Sequence, residues 1–88
     1  MALKIWKSPI AHDSRVQTVP GRVINFDVQN GVFSVWCEVV EREADRMPRR
    51  IRVLPTGVDV PDWFKHFKTI QELGGTYVWH LYVENNDG

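Results

Sequence analysis

The pattern of apolar and polar positions predicts an antiparallel hairpin around Asn30-Gly31. A two-residue type I′ turn needs positive φ at both central residues, which Asn and Gly tolerate. With these residues in the turn, the apolar face carries the pairs Val28–Phe33, Phe26–Val35 and Ile24–Cys37, and the other face carries Asp27–Ser34, Asn25–Trp36 and Val23–Glu38. A slip of one residue would turn the apolar set towards solvent. Turn chemistry and alternation therefore predict the same hairpin, over residues 22–40.

Shorter segments on both sides of this hairpin also have the pattern of strands. LKIWKSPI predicts a strand that ends near Pro9, and RVQTV predicts a second strand closed by a turn at Pro20-Gly21. RIRVL alternates arginines with Ile51 and Val53, which indicates a strand with one buried face. Between these segments, the charged stretch EREADRMPRR (residues 41–50) is typical of a solvated loop.

The segment over residues 61–73 has two interpretations. Trp63, Phe67 and Ile70 have helical spacing, and Asp62 could cap a helix. The same residues also fit two strands around Gly74-Gly75. The prediction is a short helical turn over residues 62–67, followed by a strand near residues 68–72.

The last strand, over residues 76–84, is apolar on both faces, which favours a central position in a sheet. The four residues after it, 85–88, are predicted to fray. Together the segments predict one mostly β domain over residues 1–88. It would have six or seven largely antiparallel strands in a curled sheet or a small sandwich or barrel, with at most one short helix.

Composition narrows the functional classes. The 88 residues include eleven basic and eleven acidic side chains, so the formal net charge is zero. A dedicated nucleic-acid binder would carry a basic surface, which makes that class unlikely here. A lone cysteine cannot form an internal disulfide, and no apolar run has the length of a signal peptide or a membrane span. These features predict a cytoplasmic protein that does not contact a membrane.

Several short motifs occur in a fixed order: IWK, DVQNG followed by a Trp, PTG after the basic strand, and GG-x-x-VWHLY. In this order they resemble a family of small uncharacterised proteins of tailed bacteriophages and prophages, a domain of unknown function. The resemblance runs from Ile5 to Glu84. It implies a phage setting, action inside a bacterial host and an accessory or counter-defence role, and it implies no particular activity.

The sequence gives little support for catalysis. The three histidines have no Cys, His or carboxylate neighbour at zinc-ligand spacing, so no metal or other cofactor is predicted. Cys37 lies on the inward face of the predicted hairpin, where a thiol is inert. No glycine-rich phosphate loop joins a strand to a helix. The chain is therefore predicted not to be an enzyme.

Four residues are predicted to form one recognition patch: Trp36, Arg50, Arg52 and His80. Trp36 lies off the core face of the hairpin. It is either covered by Trp63 and Phe64 of the helical turn or left as an exposed aromatic anchor. The two arginines either hold phosphate or form a solvated strand face. The imidazole either bonds to a neighbouring strand or contacts a ligand.

These features favour a module that binds a host or phage protein and associates with itself, most simply as a dimer. Ten aromatic residues (Trp, Tyr and Phe) in a short chain are the main reason. The alternative is a sponge-like binder of a small anionic ligand of nucleotide type. In that alternative an aromatic ring stacks on the base and arginines hold the phosphate.

Overall fold

A computed structural model describes residues 2–85, which form seven strands and one short 3₁₀ turn. The strands are β1 (Leu3–Pro9), β2 (Gln17–Val19), β3 (Arg22–Gln29), β4 (Val32–Val40), β5 (Arg49–Pro55), β6 (Phe64–Glu72) and β7 (Tyr77–Glu84), and the 3₁₀ turn is Glu43–Asp45. All the strand pairs formed by these residues are antiparallel. The prediction of a mostly β fold with six or seven strands is confirmed.

The strands form two sheets that share one core. One sheet has the order β1-β4-β3 and the other has the order β2-β5-β7-β6, so neither is closed into a barrel. The buried residues of the core are Val19, Val23, Phe26, Phe33, Val35, Cys37, Val39, Ile51, Val53, Ile70 and Leu81. Because both sheets contribute to this cluster, each sheet has one inner face and one outer face.

The predicted hairpin is β3–β4, and its turn is confirmed. Asn30 and Gly31 have φ values of 51° and 79°, as a type I′ turn requires. Near the turn the register pairs Val28 with Phe33 and Phe26 with Val35, as predicted.

The predicted register is wrong beyond Asn25, where an irregularity in β3 separates Val23 from Asn25. Val23, rather than Ile24, pairs with Cys37, and Arg22 pairs with Glu38. The extra residue lets Val23 reach the core, where 5% of it is exposed. Strict alternation could not anticipate this shift, because Val23 and Ile24 are equally apolar.

The predicted helical turn over residues 62–67 is wrong. The strand β6 begins at Phe64 and runs antiparallel to β7 along its whole length. The helical spacing of Trp63 and Phe67 does not correspond to one buried face. Trp63 is 81% exposed, and Phe67 lies at a register shift between His66 and Lys68. Backbone pairing with the long strand β7 outweighs local helix propensity here.

The last strand, β7, lies between β5 and β6, which confirms its predicted central position. Its inner face includes Trp79, whose ring meets Phe33 edge to face at 5.7 Å between centroids. After β7, the amide of Asn85 donates to the carbonyl of Trp63 at 2.7 Å. The rest of the tail that was predicted to fray, residues 86–88, lies outside the described residues.

The charged stretch after β4 is a loop over residues 41–48, shorter than predicted because β5 already begins at Arg49, and one of its own arginines holds it in place. Arg46 donates from Nε to the carbonyl of Val40 at 2.9 Å, and its guanidinium carbon lies 4.5 Å from the centroid of the Trp6 ring. The one short helical segment among residues 2–85 is the 3₁₀ turn in this loop, and it is far too short to cross a membrane.

Two glycines allow a direct test of this packing. A Cβ added at Gly21 would lie 2.1 Å from the carbonyl oxygen of Glu38, whereas a Cβ at Gly31 would meet nothing within 4 Å. We expect Gly31→Ala to cost about 1 kcal/mol for its positive φ, and Gly21→Ala to cost about 3 kcal/mol or more for steric overlap. Urea unfolding of both variants measures the difference. Equal losses would contradict the close approach of Gly21 to β4.

Candidate functional site

The outer face of the four-stranded sheet gathers three of the four predicted binding residues. Arg52 pairs with Tyr82, and Leu54 pairs with His80, across β5 and β7. Arg50 lies two residues before Arg52, on the same face. The alternation predicted for β5 is therefore confirmed, and it places both arginines on the side of the sheet that carries His80.

Both predicted arginines are engaged within the protein. Arg50 donates to the carboxylate of Glu84 through Nε at 3.0 Å and Nη2 at 2.5 Å. This pairing lowers the pKa of Glu84 and raises the pKa of Arg50, chiefly through the hydrogen bond between the two side chains. Arg52 donates from Nε to the carbonyl of Ser14 at 2.9 Å. The geometry favours a role for both in linking segments of the fold.

His80 lies at the centre of a chain of side-chain hydrogen bonds. Its Nε2 is 2.8 Å from the hydroxyl of Thr56, and its Nδ1 is 2.8 Å from the hydroxyl of Thr69. The hydroxyl of Thr69 also lies 2.9 Å from Nε2 of His66. A neutral His80 must donate through one ring nitrogen and accept through the other, so the two threonines fix its orientation. The interpretation of His80 as a histidine bonded to a neighbouring strand fits this geometry.

This hydrogen-bonded chain places a hydroxyl and an imidazole within hydrogen-bond distance, but within residues 2–85 it has no carboxylate on His80 that would orient the ring as a base. The hydroxyls of Thr56 and Thr69 occupy both ring nitrogens of His80, which leaves neither nitrogen bonded to a carboxylate that could orient the ring as a base. The adjoining cavity, under the loop that carries Val58 and Val60, has a volume of about 130 Å³. That is well below the ~300 Å³ at which ligand pockets usually begin.

Trp36 lies on the outer face of the other sheet, so the four predicted residues do not form one patch. It pairs with Lys7 of β1, whose Nζ lies 5.5 Å from the ring centroid. Trp63 and Phe64 were the residues expected to cover the ring. Phe64 instead begins β6, which belongs to the other sheet, and Trp63 comes directly before it. Trp36 is half-buried.

The outer face that carries Trp36 mixes apolar and polar side chains, and most of its apolar members were not predicted from the sequence. Leu3 and Val40 pair directly across β1 and β4, and Ile5 pairs with Glu38 between them and Trp36. Leu3 is 55% exposed and Ile5 is 64% exposed. We call Leu3, Ile5, Trp36 and Val40 the apolar face. The alternation within LKIWK was the sequence signal for an apolar side of β1. Only the register of β1 against β4 shows which of the alternating residues lie on the same face of the sheet as Trp36.

The remaining reactive side chains are structural. Cys37 is fully buried, and burial raises the pKa of its thiol. His12 stacks on Phe33 at 4.3 Å between ring centroids. In the part of the chain that the structure describes, no three His, Cys, Asp or Glu side chains are grouped to hold a metal ion.

Comparison with known proteins gives a family but no function. A family model described as a domain of unknown function, DUF7352, matches residues 1–88. No curated protein matches the chain, and no solved structure matches it. The resemblance to an uncharacterised domain family is thus confirmed at that level, and function has to be argued from the surfaces of the fold.

The Arg50–Glu84 pair predicts how stability changes with pH. Because the folded-state pKa of Glu84 is lowered, the pair stabilises the fold above the unfolded-state pKa of Glu84, about 4.3. That contribution is lost as pH falls through the lower folded-state pKa. We expect Glu84→Gln to reduce stability at pH 7, and the difference from the parent protein to vanish in strong acid.

Chemical denaturation at several pH values measures this difference. The matched control is Asp13→Asn, which removes the ion pair of Asp13 with Arg15, where both side chains are more than half exposed. That change should have little effect at any pH. A Glu84→Gln effect that is equally large in strong acid would contradict the assignment.

Proposed function

We propose that the chain, which belongs to the DUF7352 family of unknown function, is a non-enzymatic module that binds another protein. The observation that carries this proposal is the apolar face, where large side chains lie together on the outside of a three-stranded sheet. Exposed apolar surface that is contiguous and rimmed by polar groups is typical of protein interaction sites.

The chemistry of this face indicates what the partner must offer. Trp36 supplies a large aromatic anchor of the kind enriched at the centres of interfaces. Within the face, Glu38 lies between Val40 and Trp36 on β4 and is neutralised by Arg22, with 2.6 Å between Oε1 and Nη2. Lys7 donates to the neutral amide of Gln29 at 2.8 Å and forms no ion pair within residues 2–85. The face therefore fits an apolar protein surface that carries a carboxylate opposite Lys7.

The absence of catalysis is part of the proposal. It is supported by the burial of the Cys37 thiol and by the threonine partners of His80. Burial raises the pKa of the thiol, and no carboxylate of the described residues bonds to His80 to orient its ring as a base for a threonine hydroxyl.

The setting we propose is a bacterial cytoplasm, with the chain as a small phage accessory protein that binds a host or phage protein in counter-defence. The ordered motifs from IWK to VWHLY support this setting through their resemblance to phage and prophage proteins. The sheet geometry supports only the binding step.

We also propose that the protein forms a dimer through the free edge of β1. The other edge of this sheet, β3, lies against β6, where Lys68 bonds to Asn25 at 2.8 Å. An antiparallel pairing of two β1 strands with Ile5 on the two-fold axis would place Lys4 opposite Trp6 and Leu3 opposite Lys7. This register sets no like charges opposite each other, and it places two apolar faces on one six-stranded sheet.

The test of the apolar face is a matched pair of tryptophan substitutions. Trp36→Ala should weaken partner binding by at least about 2 kcal/mol, as expected for a central aromatic anchor. Trp63→Ala, at an exposed tryptophan outside the apolar face, should leave binding unchanged. Proteins captured from a bacterial lysate by the parent protein and by Trp63→Ala, but not by Trp36→Ala, would be purified and titrated against all three.

Thermal unfolding separates loss of binding from loss of fold. Because Trp36 is only half-buried, Trp36→Ala should cost well under the roughly 3–5 kcal/mol of a core aromatic. Equal affinity of the purified partner for Trp36→Ala and the parent protein would refute the binding role of this face.

Light scattering tests the dimer. The parent protein and Trp36→Ala should both give twice the monomer mass at micromolar concentration, because the proposed contact uses the β1 edge and leaves the Trp36 ring free. A monomer mass for the parent protein would reject the dimer. A dimer that Trp36→Ala dissociates would show that the apolar face binds a second copy.

A further inference from the structure

A cavity of about 290 Å³ opens at the end of the fold where β3, β5 and β6 begin and β7 ends. Its lining includes three cationic side chains, Arg22, Arg49 and Lys65, and three apolar ones, Val23, Phe67 and Val83. None of these residues is a member of the apolar face, although Arg22 and Arg49 also line the groove beside Leu3 and Val40.

Two of the three cations in this cavity form no ion pair within the described residues, although the charge of Arg49 helps to lower the pKa of Glu84. Arg22 is paired with Glu38, and the carboxylate of Glu84, which also lines the cavity, is bound by Arg50. Within residues 2–85, neither Arg49 nor Lys65 forms an ion pair. The cavity therefore holds about two unpaired positive charges.

A second observation shows that Arg49 lacks a hydrogen-bond partner at Nε within residues 2–85. Its Nε is buried, and it has no hydrogen-bond acceptor among the described residues. A buried donor without an acceptor is costly, and the cost is larger for a charged group. An anion bound in the cavity beside this guanidinium would offset the cost of its partly buried charge.

From this arrangement we propose that the cavity binds a small phosphate monoester of about the size of a mononucleotide. A phosphate monoester carries a charge of about −1.5 to −2 at pH 7, which matches the two unpaired cations. A carboxylate would neutralise only one of them. An arginine beside a lysine also suits phosphate, because the guanidinium binds two oxygens in a fixed geometry and the ammonium acts as a point charge.

The volume and the apolar walls set the size of the rest of the ligand. A cavity of about 290 Å³ lies just below the ~300 Å³ at which the range for ligand sites begins, so it fits only a small ligand. Phe67 is 37% exposed, and it lies at the irregularity of β6 between His66 and Lys68. Its ring, with Val23 and Val83, provides an apolar wall for a sugar or a base. The irregularity in β6 thus has a role in shaping this site.

Isothermal titration calorimetry of the full chain tests the proposal with adenosine monophosphate, adenosine and inorganic phosphate. We expect adenosine monophosphate to bind, adenosine not to bind, and inorganic phosphate to bind more weakly by at least about tenfold. Absence of binding by adenosine monophosphate, or equal binding by adenosine, would overturn the proposal. Equal affinity for inorganic phosphate would overturn the assignment of a monoester.

Substitutions assign the binding to this cavity. Arg49→Met and Lys65→Met should each weaken adenosine monophosphate binding by about ten- to a hundredfold, as expected for the loss of a charged hydrogen bond. The matched control is Arg15→Met, which removes one positive charge from the loop before β2 and should leave the affinity within about twofold. Lys65 is exposed, so Lys65→Met keeps the test valid if Arg49→Met fails to fold. Equal losses in all three variants would indicate a non-specific charge effect and would overturn the site.

Discussion

The structure depends on the burial of one face of the β3–β4 hairpin against β5 and β7. Phe26 and Val35 of the hairpin, and Val53 and Leu81 of the opposing strands, are at most 1% exposed. A chain of this length can bury only one such layer. Each sheet therefore keeps a second face outside the core, and those outer faces and the ends of the layers are where binding can occur.

The two outer faces differ because their residues are used differently. On the four-stranded sheet, Arg50 is paired with Glu84, Arg52 holds the carbonyl of Ser14, and His80 lies between two threonine hydroxyls. On the three-stranded sheet, Leu3 and Ile5 remain more than half exposed. Polar residues thus stabilise one face from within, whereas the other keeps large apolar side chains exposed among residues 2–85.

The arginines of β5 differ in whether they have hydrogen-bond partners within the protein. Arg50 and Arg52 point away from the core and have protein partners, whereas Arg49, one residue earlier, lines a cavity at the end of the fold, where its Nε has no acceptor among the described residues. Alternation with Ile51 and Val53 singled out the first two arginines as binding residues. The side chain whose buried donor lacks an acceptor in the described part of the chain is Arg49, which directly precedes this alternating stretch.

The sequence by itself determined the turn at Asn30-Gly31, the facing pairs next to it and the central position of β7, because these follow from local φ requirements and alternation. It could not determine the shift at Val23–Asn25 or the start of β6 at Phe64, since both depend on a partner strand distant in sequence. The same holds for the surfaces. Alternation shows that Trp36 and Arg52 leave the core, but only the packing of two sheets decides that they leave it on opposite sides.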